Sequence, residues 1–335
     1  MVGLPIKYFL TGVTGFIGGR VARQLVEAGH QVTAIVRNPV KAQDLAELGI
    51  AIHPGDVTDK DSMRGPMRGV DGVFHLAGWY KIGTKDKREG ERINIDGTRH
   101  VLELMRELDI AKGVYTSTVT VFSDTHGRLV DESYRYNDPH LSEYDRTKWI
   151  AHYEVAEPMM QAGLPLVIVM PGVVYGPGDN SNMRTTFVQY LQRKLLLLPR
   201  RTAFCWAHVD DVARGHLLAM ERGKPGECYI IAGPQHSFIE CMELAEKITG
   251  IPAPRLRVTP GMIKAMSALM AVIEKVATLP EMYTAEGLRV IAGVTYLGDN
   301  AKARRELGYN PRSLVDGLTE TLRYEMKLLG MIGIT

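Results

Sequence analysis

The sequence Thr11-Gly12-Val13-Thr14-Gly15-Phe16-Ile17-Gly18 joins a short apolar run at residues 7–11 to an amphipathic stretch at residues 17–28. A strand, a glycine turn and a helix in this order predict a turn that wraps the pyrophosphate of a dinucleotide. Gly12 allows the sharp turn, Gly15 allows the backbone to approach the anion, and Gly18 allows the helix to pack against the strand. The helix N-terminus offers unpaired N–H groups to the same anion. The cofactor contacts expected here are Gly12, Thr14, Gly15, Phe16 and Ile17.

Outward from this turn, strand-like runs alternate with helical patterns through the first half of the chain. The predicted strands lie at residues 7–11, 31–36, 50–54, 72–76, 113–117 and 166–170. This alternation predicts an α/β fold, a doubly wound parallel sheet of the Rossmann type with helices on both faces. We expect residues 1–176 to form the dinucleotide-binding domain, with 204–232 returning to it. Residues 177–203 and 233–335 are expected to form a smaller C-terminal substrate-binding region.

The bulk composition excludes several classes of protein. A formal net charge of +2 over 335 residues, without a dense basic run, gives no reason to expect a nucleic-acid partner. Three cysteines without a Cys-x-x-Cys spacing indicate a reducing compartment, so we expect a cytoplasmic protein and no metal site. Residues 262–276 are the most membrane-like segment, but they are too short to span a bilayer. The expected partner is a small-molecule substrate.

The type of nicotinamide cofactor depends on the residue that follows the second strand. An acidic side chain there would bind the ribose 2′-OH of NAD, but this chain has Arg37, with Lys41 one turn on. Cations at this place favour the 2′-phosphate of NADP over NAD. After the third strand, Asp56 either accepts a hydrogen bond from the adenine amino group or caps the next helix. Further cofactor contacts are expected from Val57, Leu76, Ala77, Gly78 and Thr116.

A tyrosine and a lysine four residues apart, Tyr144 and Lys148, begin a predicted helix and share one helix face. A nearby ammonium lowers the pKa of a tyrosine, which then exchanges a proton with a substrate hydroxyl or carbonyl. The fifth strand ends in a run of hydroxyl residues at 116–120, at the sheet edge where ligands bind in open α/β folds. One of these hydroxyls is expected to hold the substrate oxygen against Tyr144.

Taken together, these motifs resemble the extended short-chain dehydrogenase/reductases, closest to the branch that contains dihydroflavonol reductases. The resemblance implies that Tyr144 is the general acid/base and that Lys148 binds the nicotinamide ribose. It implies Thr118 as the partner of the substrate oxygen, with Ser117 as the near alternative. Pro171 and Val174 would lie beside the nicotinamide. A homodimer through helices near residues 97–108 and 142–157 occurs in many members and is expected here.

Departures from the family patterns narrow the choice among the reactions that the family catalyses. Dehydratases have Asp-Glu directly after the catalytic threonine, where this chain has Val119-Thr120. Epimerases commonly have a polar anchor for a sugar diphosphate where this chain has Val173 and Phe204, so a site lined by these residues and Trp206 suits an apolar substrate. Residues 261–279 either cover that substrate as a lid or pack as an ordinary helix.

The main hypothesis is therefore an NADP(H)-dependent oxidoreductase that interconverts a hydrophobic secondary alcohol and its ketone or aldehyde. The first alternative is a nucleotide-sugar epimerase with tightly bound NAD. The second is a non-catalytic nucleotide-sensing regulator on the same fold, which would have no need of Thr118, Tyr144 and Lys148.

Overall fold

The computed structural model describes residues 5–84, 86–277 and 279–332. The domain limits 1 and 335, and residue 278 within the segment 261–279, lie outside these described residues. The strands are β1 Lys7–Thr11, β2 Gln31–Val36, β3 Ala51–Pro54, β4 Gly72–His75, β5 Lys112–Thr116, β6 Leu166–Pro171, β7 Val173–Tyr175, β8 Leu197–Pro199, β9 Ala203–His208, β10 Cys228–Ile231, β11 Gln235–Ser237, β12 Leu256–Val258 and β13 Thr295–Tyr296.

The α-helices are α1 Phe16–Glu27, α2 Gln43–Glu47, α3 Lys60–Met67, α4 Arg88–Gly90, α5 Gly97–Glu107, α6 Glu143–Ile150, α7 Glu157–Gln161, α8 Asn182–Leu191, α9 Val209–Arg222, α10 Phe238–Thr249, α11 Pro260–Ile273, α12 Ala285–Arg289, α13 Ala301–Leu307 and α14 Leu314–Leu328. Two π-helical segments, Glu91–Asp96 and Ala151–Ala156, join α4 to α5 and α6 to α7. Short 3₁₀ segments lie at Pro39–Ala42, Val119–Phe122 and Glu281–Tyr283.

Seven parallel strands form the main sheet, in the order β3-β2-β1-β4-β5-β6-β10. Its central strands are apolar on both faces because helices cover both sides, as parallel sheets require. In β1, Tyr8 and Leu10 pack towards α1 and α9, whereas Phe9 packs into the cluster that includes α3 and α5. The predicted doubly wound fold is confirmed.

The six strand predictions in the first half agree with the structure to within one residue at either end. The helix at 209–222 and the strand β10 bring the chain back to the main sheet, where β10 pairs with β6. The preceding strand β9 lies instead in a second sheet, between β11 and β13, and also pairs with β7. A third, two-stranded sheet joins β8 to β12. The boundaries of the two predicted regions stay a prediction.

Candidate cofactor and catalytic site

The turn between β1 and α1 depends on close backbone contacts that only glycine permits. Gly12 has a φ of +73°, and a Cβ atom there would lie 2.6 Å from the backbone nitrogen of Ala77. A Cβ atom on Gly18 would collide with the Gly12 carbonyl oxygen. The amide of Gly15 donates to that same oxygen at 2.9 Å and closes the turn. The turn therefore sits tightly between the ends of β1 and β4.

The N-terminus of α1 is suited to an anion. Its N-cap residue is Gly15, no side chain caps the helix, and its first turn contains no acidic residue. The free N–H groups and the positive end of the helix dipole thus remain available to a phosphate. A cavity of about 180 Å³ adjoins this end. Its lining residues are Thr14, Gly15, Phe16, Gly19, Arg20, Arg23, Pro177, Gly178 and Asn180.

Two exposed cations follow β2, directly beside the glycine turn. Arg37 and Lys41 are both exposed, and neither makes an ion pair with any residue that the structure describes. Asn38 lies between them and caps the 3₁₀ segment by accepting a hydrogen bond from the Val40 amide at 3.1 Å. Because no internal partner holds either charge, both are free to bind a ligand phosphate.

After β3, Asp56 forms a turn and does not cap a helix. Its Oδ1 accepts a hydrogen bond from the Thr58 amide at 2.8 Å, whereas Asp59 is the N-cap residue of α3. The alternative in which Asp56 caps the next helix is therefore wrong. Val57 is buried, and its side chain packs beside Gly97 at the start of α5.

A buried hydroxyl–imidazole chain supports the end of β4. Thr11 Oγ1 accepts hydrogen bonds from the amides of Leu76 and Ala77 at 3.2 and 3.1 Å. It also contacts His75 Nδ1 at 2.8 Å, while His75 Nε2 lies 3.0 Å from Thr98 Oγ1. Burial lowers the pKa of His75 to about 3, so the imidazole is neutral and serves packing. The strand end that carries Leu76, Ala77 and the exposed Gly78 is thereby fixed.

The predicted proton-transfer residue lies at the start of α6 and faces the loop after β5. The Tyr144 hydroxyl lies close enough to the side chains of Thr118 and Thr120 to interact with them, and the two threonine hydroxyls lie 2.7 Å from each other. Burial raises the pKa of Tyr144 to about 12, against the partial effect of these two side chains. Tyr144 is thus protonated at neutral pH, in the form that donates a proton.

The two candidate hydroxyls for the substrate oxygen have separate surroundings. Ser117 Oγ is hydrogen-bonded to His152 Nδ1 at 2.7 Å, inside the core and away from Tyr144. Thr118 is the hydroxyl that meets Tyr144, so the structure brings together Thr118 and Tyr144 and leaves Ser117 apart. Thr116 is also engaged elsewhere, since its Oγ1 lies 2.9 Å from His216 Nε2.

Lys148 lies one turn after Tyr144 and is 4% exposed. Its Nζ donates hydrogen bonds to the Thr116 carbonyl oxygen at 2.8 Å and to the Tyr115 hydroxyl at 3.1 Å. Burial lowers the pKa of Lys148 to about 7. Burial is the largest effect on the pKa of Tyr144, and the Lys148 amino group is held by Tyr115 and Thr116. The expectation that Lys148 lowers the tyrosine pKa stays a prediction.

A carboxylate from the C-terminal part of the chain holds the beginning of α6. Glu286 Oε1, on α12, accepts a hydrogen bond from the Glu143 amide at 2.6 Å, and its Oε2 accepts one from Gly83 at 3.3 Å. Ser142 caps the same helix and also donates to Asp145 Oδ1 at 2.6 Å. Burial, with Glu286 nearby, raises the pKa of Asp145 to about 7.

The remaining predicted positions flank the site from β6, β7 and β9. Pro171 ends β6 and is buried, and Val173 and Val174 are half-buried in β7. Phe204 stacks on Tyr296 with 5.8 Å between ring centroids. Trp206 is 1% exposed and packed among aromatic rings of the core, so the expectation that it lines the site is wrong.

Several supporting residues were not predicted from the sequence. Thr120 belongs to the hydroxyl run at 116–120, and its position two residues after Thr118 is the sequence feature that could have indicated its role. Tyr115 and Glu286 had no local signal, because their partners lie 33 and 143 residues away. Asn94, in contrast, belongs to the stretch Asn94-Ile95-Asp96-Gly97-Thr98, where the family resemblance implies a supporting role; its side chain donates to the Trp79 carbonyl and to Thr147 Oγ1, both at 2.9 Å.

Comparisons with known proteins agree with this geometry. The model of the NAD dependent epimerase/dehydratase family matches residues 8–232. A putative dihydroflavonol 4-reductase of Synechocystis sp. is 31% identical over 95% of this chain and 94% of its own. A 4-hydroxy-2-methyl-3-oxo-4-farnesyl-3,4-dihydroquinoline-1-oxide ketoreductase of Stigmatella aurantiaca is 30% identical over 92% of both chains. The crystal structure of gox2253 superposes with a TM-score of 0.83 and 27% identity, over 97% of this chain and 99% of its own.

Proposed function

The chain belongs to the NAD dependent epimerase/dehydratase family, as an NAD(P)-dependent enzyme of the extended short-chain dehydrogenase/reductase type, and from this premise we propose its reaction. We propose that it is an NADP(H)-dependent oxidoreductase that interconverts an apolar secondary alcohol and its ketone or aldehyde. The observation that carries the proposal is the contact of a protonated Tyr144 with Thr118 at the carboxyl edge of the sheet.

The residues at this edge fit a nicotinamide dinucleotide. The glycine turn and the uncapped end of α1 would hold the pyrophosphate, with contacts from Gly12, Thr14, Gly15, Phe16 and Ile17. The free cations Arg37 and Lys41 would bind a ribose 2′-phosphate, which is the argument for NADP. The remaining contacts would come from Asp56, Val57, Leu76, Ala77, Gly78, Thr116, Lys148, Pro171 and Val174.

A bound NADPH supplies the hydride that reduces the carbonyl carbon. Thr118 holds the carbonyl oxygen and Tyr144 donates its phenolic proton to that oxygen as negative charge develops there. With a pKa of about 12, Tyr144 is protonated at neutral pH and has the proton that the reduction needs. Lys148 binds ribose hydroxyls from a position fixed by Tyr115 and Thr116.

The proposal of an apolar substrate is supported by the residues that stand where epimerases have polar anchors for a sugar diphosphate. By the family resemblance these residues are Val173 and Phe204, and the half-buried Val173 is the more accessible of the two. The two relatives named above have names that describe reductases of aromatic or farnesylated carbonyl compounds. A cytoplasmic location and a homodimer through the helices near 97–108 and 142–157 stay predictions.

The test is a spectrophotometric assay with NADPH and a panel of apolar ketones and aldehydes. We expect loss of NADPH absorbance with a matching amount of alcohol, and a loss about 10²–10⁴ times slower with Tyr144→Phe. Interconversion of nucleotide sugars without net NADPH consumption, with NAD that co-purifies in fixed stoichiometry, would instead establish the epimerase. Tight NADPH binding with neither activity would establish the regulator.

A further inference from the structure

The helix α11 presents a row of large apolar side chains to solvent. Met262, Leu269 and Val272 are 57%, 57% and 61% exposed, and Val276, in the turn after the helix, is 88% exposed. Met266 lies between them and is 38% exposed. With a helical repeat of 3.6 residues, the four of these side chains that belong to the helix share one face, and Val276 continues the row in the turn. Exposed apolar residues are ordinary when scattered, but a continuous row marks an interaction surface.

The remaining side chains of α11 attach the helix to α12 and determine its surface charge. Ile263 and Ser267 are buried against α12, where Ser267 Oγ donates to the Ala285 carbonyl oxygen at 2.7 Å. Glu274 is turned inward, and its Oε1 accepts a hydrogen bond from the Ala285 amide at 2.8 Å. The exposed charges between residues 260 and 277 are Lys264 and Lys275, which helical spacing places beside the apolar row rather than within it. The outward charge of this segment is therefore entirely positive.

The strand β12, which leads into α11, also carries an exposed apolar side chain. Leu256, in β12, is 60% exposed, and Leu196, beside the paired strand β8, is 74% exposed. Arg200, which follows β8, is exposed, and its amide donates to the Val258 carbonyl oxygen two residues before α11 begins. Apolar side chains thus again adjoin an exposed cation.

We propose that the apolar face of α11, defined as Met262, Met266, Leu269, Val272 and Val276, docks on the surface of an anionic lipid bilayer. A helix with an apolar face, flanking lysines and no outward carboxylate lies in the plane of a membrane interface, with its apolar side chains among the acyl chains and its lysines at the headgroups. None of the described helices is long and apolar enough to cross a membrane.

The position of α11 connects this surface to the reaction site. Its partner helix α12 carries Glu286, which holds the start of α6 and therefore Tyr144. Entry of an apolar substrate from the lipid would pass close to this contact, and that consequence rests on the proposed function. The docking itself does not depend on the reaction.

Co-sedimentation with vesicles tests the proposal on the full chain. The vesicles contain phosphatidylcholine and phosphatidylglycerol in equal amounts, with pure phosphatidylcholine as the neutral comparison. We expect binding to the anionic vesicles that weakens with salt. Leu269→Glu with Val272→Glu should lower the partition coefficient roughly tenfold or more, because two apolar anchors are lost. Lys264→Gln with Lys275→Gln should lower it about fivefold per lysine, on anionic vesicles only.

The matched control places the same two charges elsewhere. Val315→Glu with Leu328→Glu alters side chains of α14 that are 45% and 57% exposed, and it should leave vesicle binding unchanged. All variants change exposed positions, and thermal melting checks that each remains folded. Equal vesicle binding by the α11 variant and this control, or no binding of the unmodified chain, overturns the proposal. Loss of a dimer in light scattering by the α11 variant, without vesicle binding, assigns the face to a second copy and also overturns it.

Discussion

Replacement of Arg37 by alanine is expected to weaken NADPH binding and to leave NADH binding nearly unchanged. The side chain is exposed and makes no ion pair with a described residue, so its removal breaks no ion pair within the described part of the protein. A hydrogen bond to a charged group contributes about 1.5–3 kcal/mol. Solvent screening at an exposed site favours the lower end, about 1.5 kcal/mol, which corresponds to roughly a tenfold rise in Kd. Removal of Lys41 as well should add a further factor of about three.

Isothermal titration of each variant with NADPH and NADH measures this directly. Arg68→Ala is the matched control, because Arg68 is also exposed but lies at the far end of α3. The difference between the two cofactors should shrink as salt rises, since exposed charges are screened. An equal loss of affinity for both cofactors in Arg37→Ala, or tighter binding of NADH than NADPH by the unmodified protein, would refute the assignment of Arg37 to a 2′-phosphate.

Three further predictions concern catalysis, stability and the glycine turn. Thr118→Ala should lower kcat about 100-fold and Ser117→Ala less than about fivefold, because only Thr118 meets the acid; equal effects in steady-state kinetics contradict this. Asp145 has a pKa of about 7 in the folded chain, above its unfolded value, so the stability present at low pH is lost as pH rises through 7. Urea unfolding should show about 2 kcal/mol less stability from this group at about pH 8 than at about pH 5, and Asp145→Asn should abolish that difference; an unchanged pH dependence contradicts it. Gly18→Ala should cost about 1–3 kcal/mol and abolish NADPH binding, whereas Gly65→Ala, with open space around it, should do neither; a wild-type affinity in Gly18→Ala contradicts the close packing of the turn.

The main sheet could be predicted from the sequence because its signals are local. The strand, glycine turn and helix around Gly12 follow one another within about twenty residues, and the buried parallel strands are continuously apolar. The second sheet had no comparable signal. Its strands β7, β11 and β13 have two or three residues each, and they are defined by pairing with β9 across long stretches of chain.

At the site, residue types could be predicted but orientations could not. Adjacent residues of an extended chain point in opposite directions, and the sequence favoured Thr118 only through the family resemblance, with Ser117 left as the alternative. The partner His152 decides between them, and its position depends on how the helix after Tyr144 packs against the sheet. The same holds for Trp206, whose place among core aromatic rings follows from the second sheet.

The central claim is that Tyr144 delivers the proton in an NADP(H)-dependent carbonyl reduction. Single-turnover measurement of NADPH oxidation, with saturating cofactor and an apolar ketone, compares Tyr144→Phe with the unmodified enzyme. We expect the rate to fall by about 10²–10⁴, the range for loss of a general acid, while the Kd for NADPH changes less than about twofold. A rate within a factor of about ten of the unmodified enzyme, with NADPH still bound, would contradict the claim.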